Sequence, residues 1–327
     1  MYFPRGTANS LNALRRRRGP DACRSEFHKL RASRRAYAAG LVNDPNLSFA
    51  TCFALLPELR GWQPEGELCP RVRTAVRLCE IIRTDKSADG NAVHPRYDEA
   101  TRDALRWMFA SGEEADGMDA DFDRTVDISA CVLLKIYHEE EILPGVVRLM
   151  FRRNRRGSCL HDLAWAFFQS AGPRALRSVA ERLLSPSAKD AELARLLLHL
   201  PQAGNSRREK RAQYARSLDW LEENRPYLSP TDEGLCATSS PHACAVNLSA
   251  KYLNRKPRAG GPEDAQPLTE AEKGCLACFS AAQPEERELL AHFSCKLHEK
   301  DPLRWSEWIR RPLEKQIRAA RGGEADR

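Results

Sequence analysis

Nowhere does this sequence run for the roughly 18 uncharged apolar residues that a membrane helix requires, so no membrane partner is expected. The basic N-terminus lacks an apolar stretch with a small-residue cleavage site, and it is not read as a secretory signal. Glycine is scarce, 18 of 327 residues, which suits helices better than β-rich architecture. Phosphate-binding loops are missing: there is no GxxxxGK[ST] and no GxGxxG, and Gly260-Gly261 falls in a linker. Regular cysteine spacing is missing too. Eleven cysteines, an odd number, argue against a disulfide framework and for a reducing, cytoplasmic setting.

What the chain does contain is a pattern written four times between Leu143 and Leu200. Leu143, Val146, Val147, Met150 and Phe151 fall at i, i+3, i+4, i+7 and i+8. Leu160, Leu163, Ala164, Phe167 and Phe168 repeat it, as do Leu176, Val179, Ala180, Leu183 and Leu184. Leu193, Leu196, Leu197 and Leu200 give the first four positions again. A pair of helices thus recurs every 33 residues (143 to 176, 160 to 193). Stacked helical hairpins bury such stripes jointly, since no hairpin hides its apolar face alone.

The net charge of +7 is unevenly placed. Residues 1–40 carry ten positive charges, Arg15, Arg16, Arg17 and Arg18 among them, against only Asp21 and Glu26, while the remaining 287 residues are one charge negative. The segment reads as a basic arm, mobile over its first 20 residues, that binds polyanions if it binds anything.

Four regions are expected: the basic arm 1–40, a helical N-terminal region 41–125, a repeat array 126–223 and a helical C-terminal region 224–327 containing the linker 254–267. Helices are predicted over Leu68–Ile82, around Ala100–Phe109, over Asp127–Tyr137 and over His242–Leu253. Others follow Thr269, whose capping box with Glu272 starts one, and Pro284, with Leu313–Arg321 last. Asp119, Asp121 and Asp123 alternate like a calcium loop. Arg124 occupies the position that needs Gly and Ala130 the position of the bidentate Glu, so the acids are read as preceding a helix.

The hairpin tract resembles HEAT-like or armadillo-type α-solenoid repeats over residues 127–200, and it lacks the consensus residues of tetratricopeptide and ankyrin repeats. The blocks FRRNRRG (151–157), HDLAWAFF (161–168) and WIRRPLEKQIRAA (308–320) are also similar to a bacterial protein family that brings no catalytic residues with it. HEAT-like folds imply scaffolds and adaptors, with alkylpurine-excising DNA glycosylases a minority.

Candidate chemistry is sparse. Cys275-x2-Cys278 with His292, Cys295 and His298 offers zinc ligands, but the capping box at Thr269 puts the cysteine pair on a helix and not on a knuckle. Cys236, His242 and Cys244 form a weaker set. Cys159 and His161 stand about 200° apart if helical, too far around to share a proton. No metal or cofactor is expected. Arg152, Arg153, Arg155 and Arg156 exceed what a helix C-terminus needs, and their guanidiniums suit phosphates or a carboxylate-rich partner. Trp165, off the stripe, is either an exposed anchor or part of a second packed face. The expected protein is all-α: a HEAT-like hairpin array flanked by irregular helical regions, a non-enzymatic scaffold that binds a protein partner. The alternative is a nucleic-acid-binding protein, a base-excision enzyme on such a scaffold, gripping phosphates with Arg15–Arg18 and the arginine turn.

Overall fold

A computed structural model describes residues 10–84, 98–115, 117–169, 173–202, 206–231, 244–255 and 267–322, with 204 and 242 between them. The described residues form eighteen α-helices and one two-stranded ribbon, an all-α protein. Among them, no helix is long and apolar enough to cross a membrane.

Over its described residues the basic segment is packed, and from Ser10 to Pro20 this differs from the mobility expected of the first 20 residues. It forms α1 (Ser10–Arg18), α2 (Pro20–Ser33) and α3 (Arg35–Val42), whose Leu11, Cys23, Phe27, Ala38 and Val42 are fully buried in the main core. The apolar residues are few, but Cys23, Phe27 and the half-buried Leu30 keep helical spacing beneath the charge. The segment 41–62, broken by Pro45 and Pro57, yields two short helices, α4 (Phe49–Ala54) and α5 (Leu56–Leu59). Ser48 caps α4 by accepting from the Thr51 N–H. Then come α6 (Pro70–Thr84) and α7 (Glu99–Gly112).

Helix α8 (Ala120–Lys135) starts seven residues before the expected position, because Asp119 is its N-cap and accepts from the Phe122 N–H at 2.7 Å. The acids 121 and 123 lie in its first turn, where the helix dipole favours them. From Thr125 to Leu134 every residue of α8 is buried, as a central helix requires. It packs against α6, α7 and α10. Gly112 of α7 lets the two helices approach closely, for a Cβ there would stand 2.9 Å from Val126 Cγ2.

The repeated tract gives α9 (Leu143–Arg156), α10 (His161–Gln169), α11 (Pro173–Ala180) with a 3₁₀ turn over 181–184, and α12 (Ala188–Leu197). Gly157, at φ 71°, closes α9 in the left-handed conformation. Helix α9 packs on α10, α11 and α12, and α11 also meets α12, compatible with a repeat-like fold. Helix α12 seats chiefly on the 181–184 turn and on α9. Most of the stripe is buried as predicted, but Leu184 and Leu196 are exposed, the latter by 68%.

Helix α13 (Arg207–Asn224) leads to the antiparallel ribbon of β1 (Leu228–Pro230) and β2 (Cys244–Val246). The ribbon displaces the expected start of a helix at His242; α14 spans only Leu248–Tyr252. Cys244 and Val246 pair with Pro230 and Leu228, and the Asn247 side chain caps α14. The C-terminal helices α15 (Glu270–Ser280), α16 (Pro284–Lys300), α17 (Pro302–Trp308) and α18 (Leu313–Arg321) enclose a second, smaller core around Tyr252, Phe279, Phe293 and Trp308. The linker residues 256–266 lie outside the described residues.

Candidate functional site

The arginine turn at the end of α9 braces three neighbouring segments. Arg152 Nη2 donates to the Glu113 carbonyl at 2.5 Å, just beyond α7. Arg153 turns inward onto α8, its Nη1 2.6 Å from Asp127 Oδ2 and 3.3 Å from the Cys159 carbonyl. On the other side Arg155 Nη1 donates to Asp190 Oδ2 at 2.9 Å, and Asn154 Nδ2 to the Lys189 carbonyl, both on α12. Asp190 is wholly buried and also accepts from the Ser185 hydroxyl. Much of the positive charge beyond what a cap needs is therefore spent on neighbouring helices, and Arg155 and Arg156 are exposed. Trp165 is half-buried against the main core, with Lys135 Nζ 5.0 Å from its ring centroid.

The run Arg15–Arg18 is divided by its helix. Arg15 Nε donates to Thr51 Oγ1 at 3.1 Å, and its pKa is lowered by burial and then by the neighbouring Arg16 charge. Arg16 pairs with Glu114 at 3.5 Å. Arg17 and Arg18 are exposed and make no ion pair among the described residues.

Among the described residues the candidate zinc ligands do not converge. Cys275 Sγ donates to the Ile309 carbonyl at 3.5 Å, Cys278 is exposed, and Cys295 Sγ lies 3.7 Å from the Tyr227 hydroxyl. His298 stands edge-on to Trp305, and His292 Nδ1 meets Glu223 at 2.6 Å. Among the described residues no three metal-binding side chains form a group that would hold an ion. Cys236 lies outside the described residues. Cys159, in the turn before α10, and His161, the first residue of that helix, are both exposed.

A cleft that the sequence did not announce lies where α2, α5, α6 and α8 meet. It encloses about 260 Å³ and is floored by Phe53, Leu56, Ile82 and Met118. Around that floor stand Arg24 from α2, Arg60 just beyond α5, Arg83 from α6 and Arg124 from α8. Asp21, Asp119 and Asp121 share the rim. Arg24 bonds Asp21, Arg60 Nε lies 3.2 Å from Glu80, and Asp119 is committed to capping α8. Arg83 is exposed and makes no ion pair among the described residues. The apolar floor lowers local dielectric, so a carboxylate reaching these guanidiniums is held more strongly than on an open surface. Arg15 and Arg16 line a separate cleft with Ser48, Ser111 and Glu114. The four arginines come from segments far apart in sequence, and only their folding together creates the site. No family model, curated protein or solved structure matches the chain.

Proposed function

We propose that the chain is a non-enzymatic helical scaffold whose arginine-rimmed cleft holds a protein partner. The observation that carries this reading is the convergence of Arg24, Arg60, Arg83 and Arg124 over the apolar floor of Phe53, Leu56, Ile82 and Met118. Planar guanidiniums around an apolar recess suit a side chain with a carboxylate beside it, the mixture that protein interfaces present. The alternative, a nucleic-acid-binding or base-excision protein on a HEAT-like scaffold, needs a concerted basic surface. Its arginines are instead spread over α1 and the α9 turn, and most of them are engaged with the protein itself. The rim carboxylates Asp21, Asp119 and Asp121 also oppose a phosphate backbone.

A photo-crosslinking amino acid in place of Arg83, used in the cell of origin, tests the reading. It should trap a polypeptide, and the same group in place of the exposed Leu303 should not. Adducts with nucleic acid, or equal adducts from both positions, would overturn it.

A further inference from the structure

A second cleft adjoins the first. It encloses about 420 Å³ and shares Arg60 with its neighbour. Its lining includes Leu59, Val76, Arg73 and Arg77. On α6, Arg73, Thr74, Val76, Arg77 and Glu80 line the second cleft and Cys79, Ile82 and Arg83 the first, so the two follow one another along a single helix. At about 1.5 Å per helical residue, the stretch from Arg73 to Arg83 is roughly 15 Å long. An extended peptide covers that length in about four or five residues.

Every cation in the two clefts is an arginine, and none is a lysine. Arg60 and Glu80 neutralise each other at the shared waist. Beyond the waist, Arg73 and Arg77, one turn apart at one end, and Arg83 at the other are exposed without ion pairs among the described residues. The track is thus cationic at its ends and neutral between them, with apolar residues beneath both halves. We infer that the two clefts form one binding track along α6 for an extended acidic peptide segment, with carboxylates at its ends and an apolar side chain seated over Leu56 and Met118. This rests on the scaffold reading and specifies the chemistry of the partner.

A single-stranded nucleic acid fits less well. Its phosphates are continuous, so some of them fall against Asp21, Glu65, Glu80 or Asp121, whereas peptide carboxylates are spaced to avoid them. Of the aromatic rings in the lining, Trp62 is buried in the core and Phe53 alone is partly open, too little for a run of stacked bases.

Fluorescence anisotropy with the full chain tests the track. The probes are a labelled Asp/Glu peptide carrying one central Leu, the same peptide with Lys for its acids, and an oligodeoxythymidine. The acidic peptide should bind, the basic one should not, and the oligonucleotide should not compete. Arg73→Ala and Arg83→Ala should each weaken binding about fivefold, the measure of one exposed charge pair. Both side chains are exposed, so melting temperature should stay unchanged and separates lost binding from lost fold. If only Arg83→Ala weakens binding, the track along α6 is wrong, while the first cleft keeps its role. If no acidic peptide binds although the Arg83 crosslinker traps a polypeptide, the inference fails and the scaffold reading stands. Equal competition by the oligonucleotide overturns the peptide assignment.

Discussion

Arg153 lies across Asp127 with its Nη1 2.6 Å from Oδ2, and both side chains are almost completely enclosed between α8 and α9. The Asp127 Oδ1 is also buried and accepts no hydrogen bond. A buried pair of this kind resists loss of one partner far more than loss of both, because the survivor is an uncompensated charge in low dielectric. Arg153→Ala should therefore destabilise by about 3–5 kcal/mol. The double variant Asp127→Leu/Arg153→Met should recover most of that loss. Denaturant unfolding of the four proteins gives the coupling directly; additive single costs would mean that the pair is not an energetic unit.

The same carboxyl gives a pH signature. Burial pushes Asp127 up to about 7, with the charges of Asp162 and Asp123 adding to the rise and Arg153 opposing it. In the unfolded chain the carboxyl titrates at an ordinary value near 4, so between about pH 4 and 7 the folded state holds more protons than the unfolded state. Stability from this group is complete below that window, falls as pH rises through it and is level above. Asp127→Asn should flatten the slope between pH 5 and 7, which thermal melts across that range would reveal. An unchanged slope would place the titration elsewhere.

The apolar stripe makes a contrast within one motif. Leu163 is fully buried, whereas Leu196 is mostly exposed. Leu163→Asp should abolish soluble folding, because it buries a charge without a partner. Leu196→Asp should alter stability by less than about 0.5 kcal/mol, as surface changes usually do. Circular dichroism and melting decide both, and a soluble, normally helical Leu163→Asp would show that its face meets water.

These residues also show how far sequence reading reaches. Periodicity located the starts of α9 and α10 within about a residue, since a helix face recurs every 3.6 positions whatever packs against it. It failed at Leu184 and Leu196, where the pattern is present but the neighbour that would cover it is not, and packing is a property of the assembled fold. It failed at Arg153 as well. A buried guanidinium looks like a surface cation until its partner, 26 residues earlier, is seen beside it. Charge density concealed Leu11 and Phe27, so a core segment passed for an arm. The cleft was illegible for a related reason: each of its arginines belongs to a different segment, and no local spacing links them.

The fate of that segment sets the last expectation. Deleting residues 1–35 would remove the buried Leu11, Cys23 and Phe27, so such a truncation would report unfolding and not lost charge. Point substitutions are cleaner. A free arm with a surplus of eight positive charges predicts a log–log salt slope near −7 for duplex DNA, at roughly −0.9 for each phosphate neutralised. In the folded α1, Arg15 bonds Thr51 and Arg16 pairs with Glu114, which leaves Arg17 and Arg18 as the ready contacts. Any DNA affinity should then be weak with a slope of about −2, and Arg17→Ala/Arg18→Ala should remove it. Filter binding between low and physiological salt measures the slope. A value near −7 would mean that the helix releases its arginines, and the nucleic-acid reading would displace the scaffold.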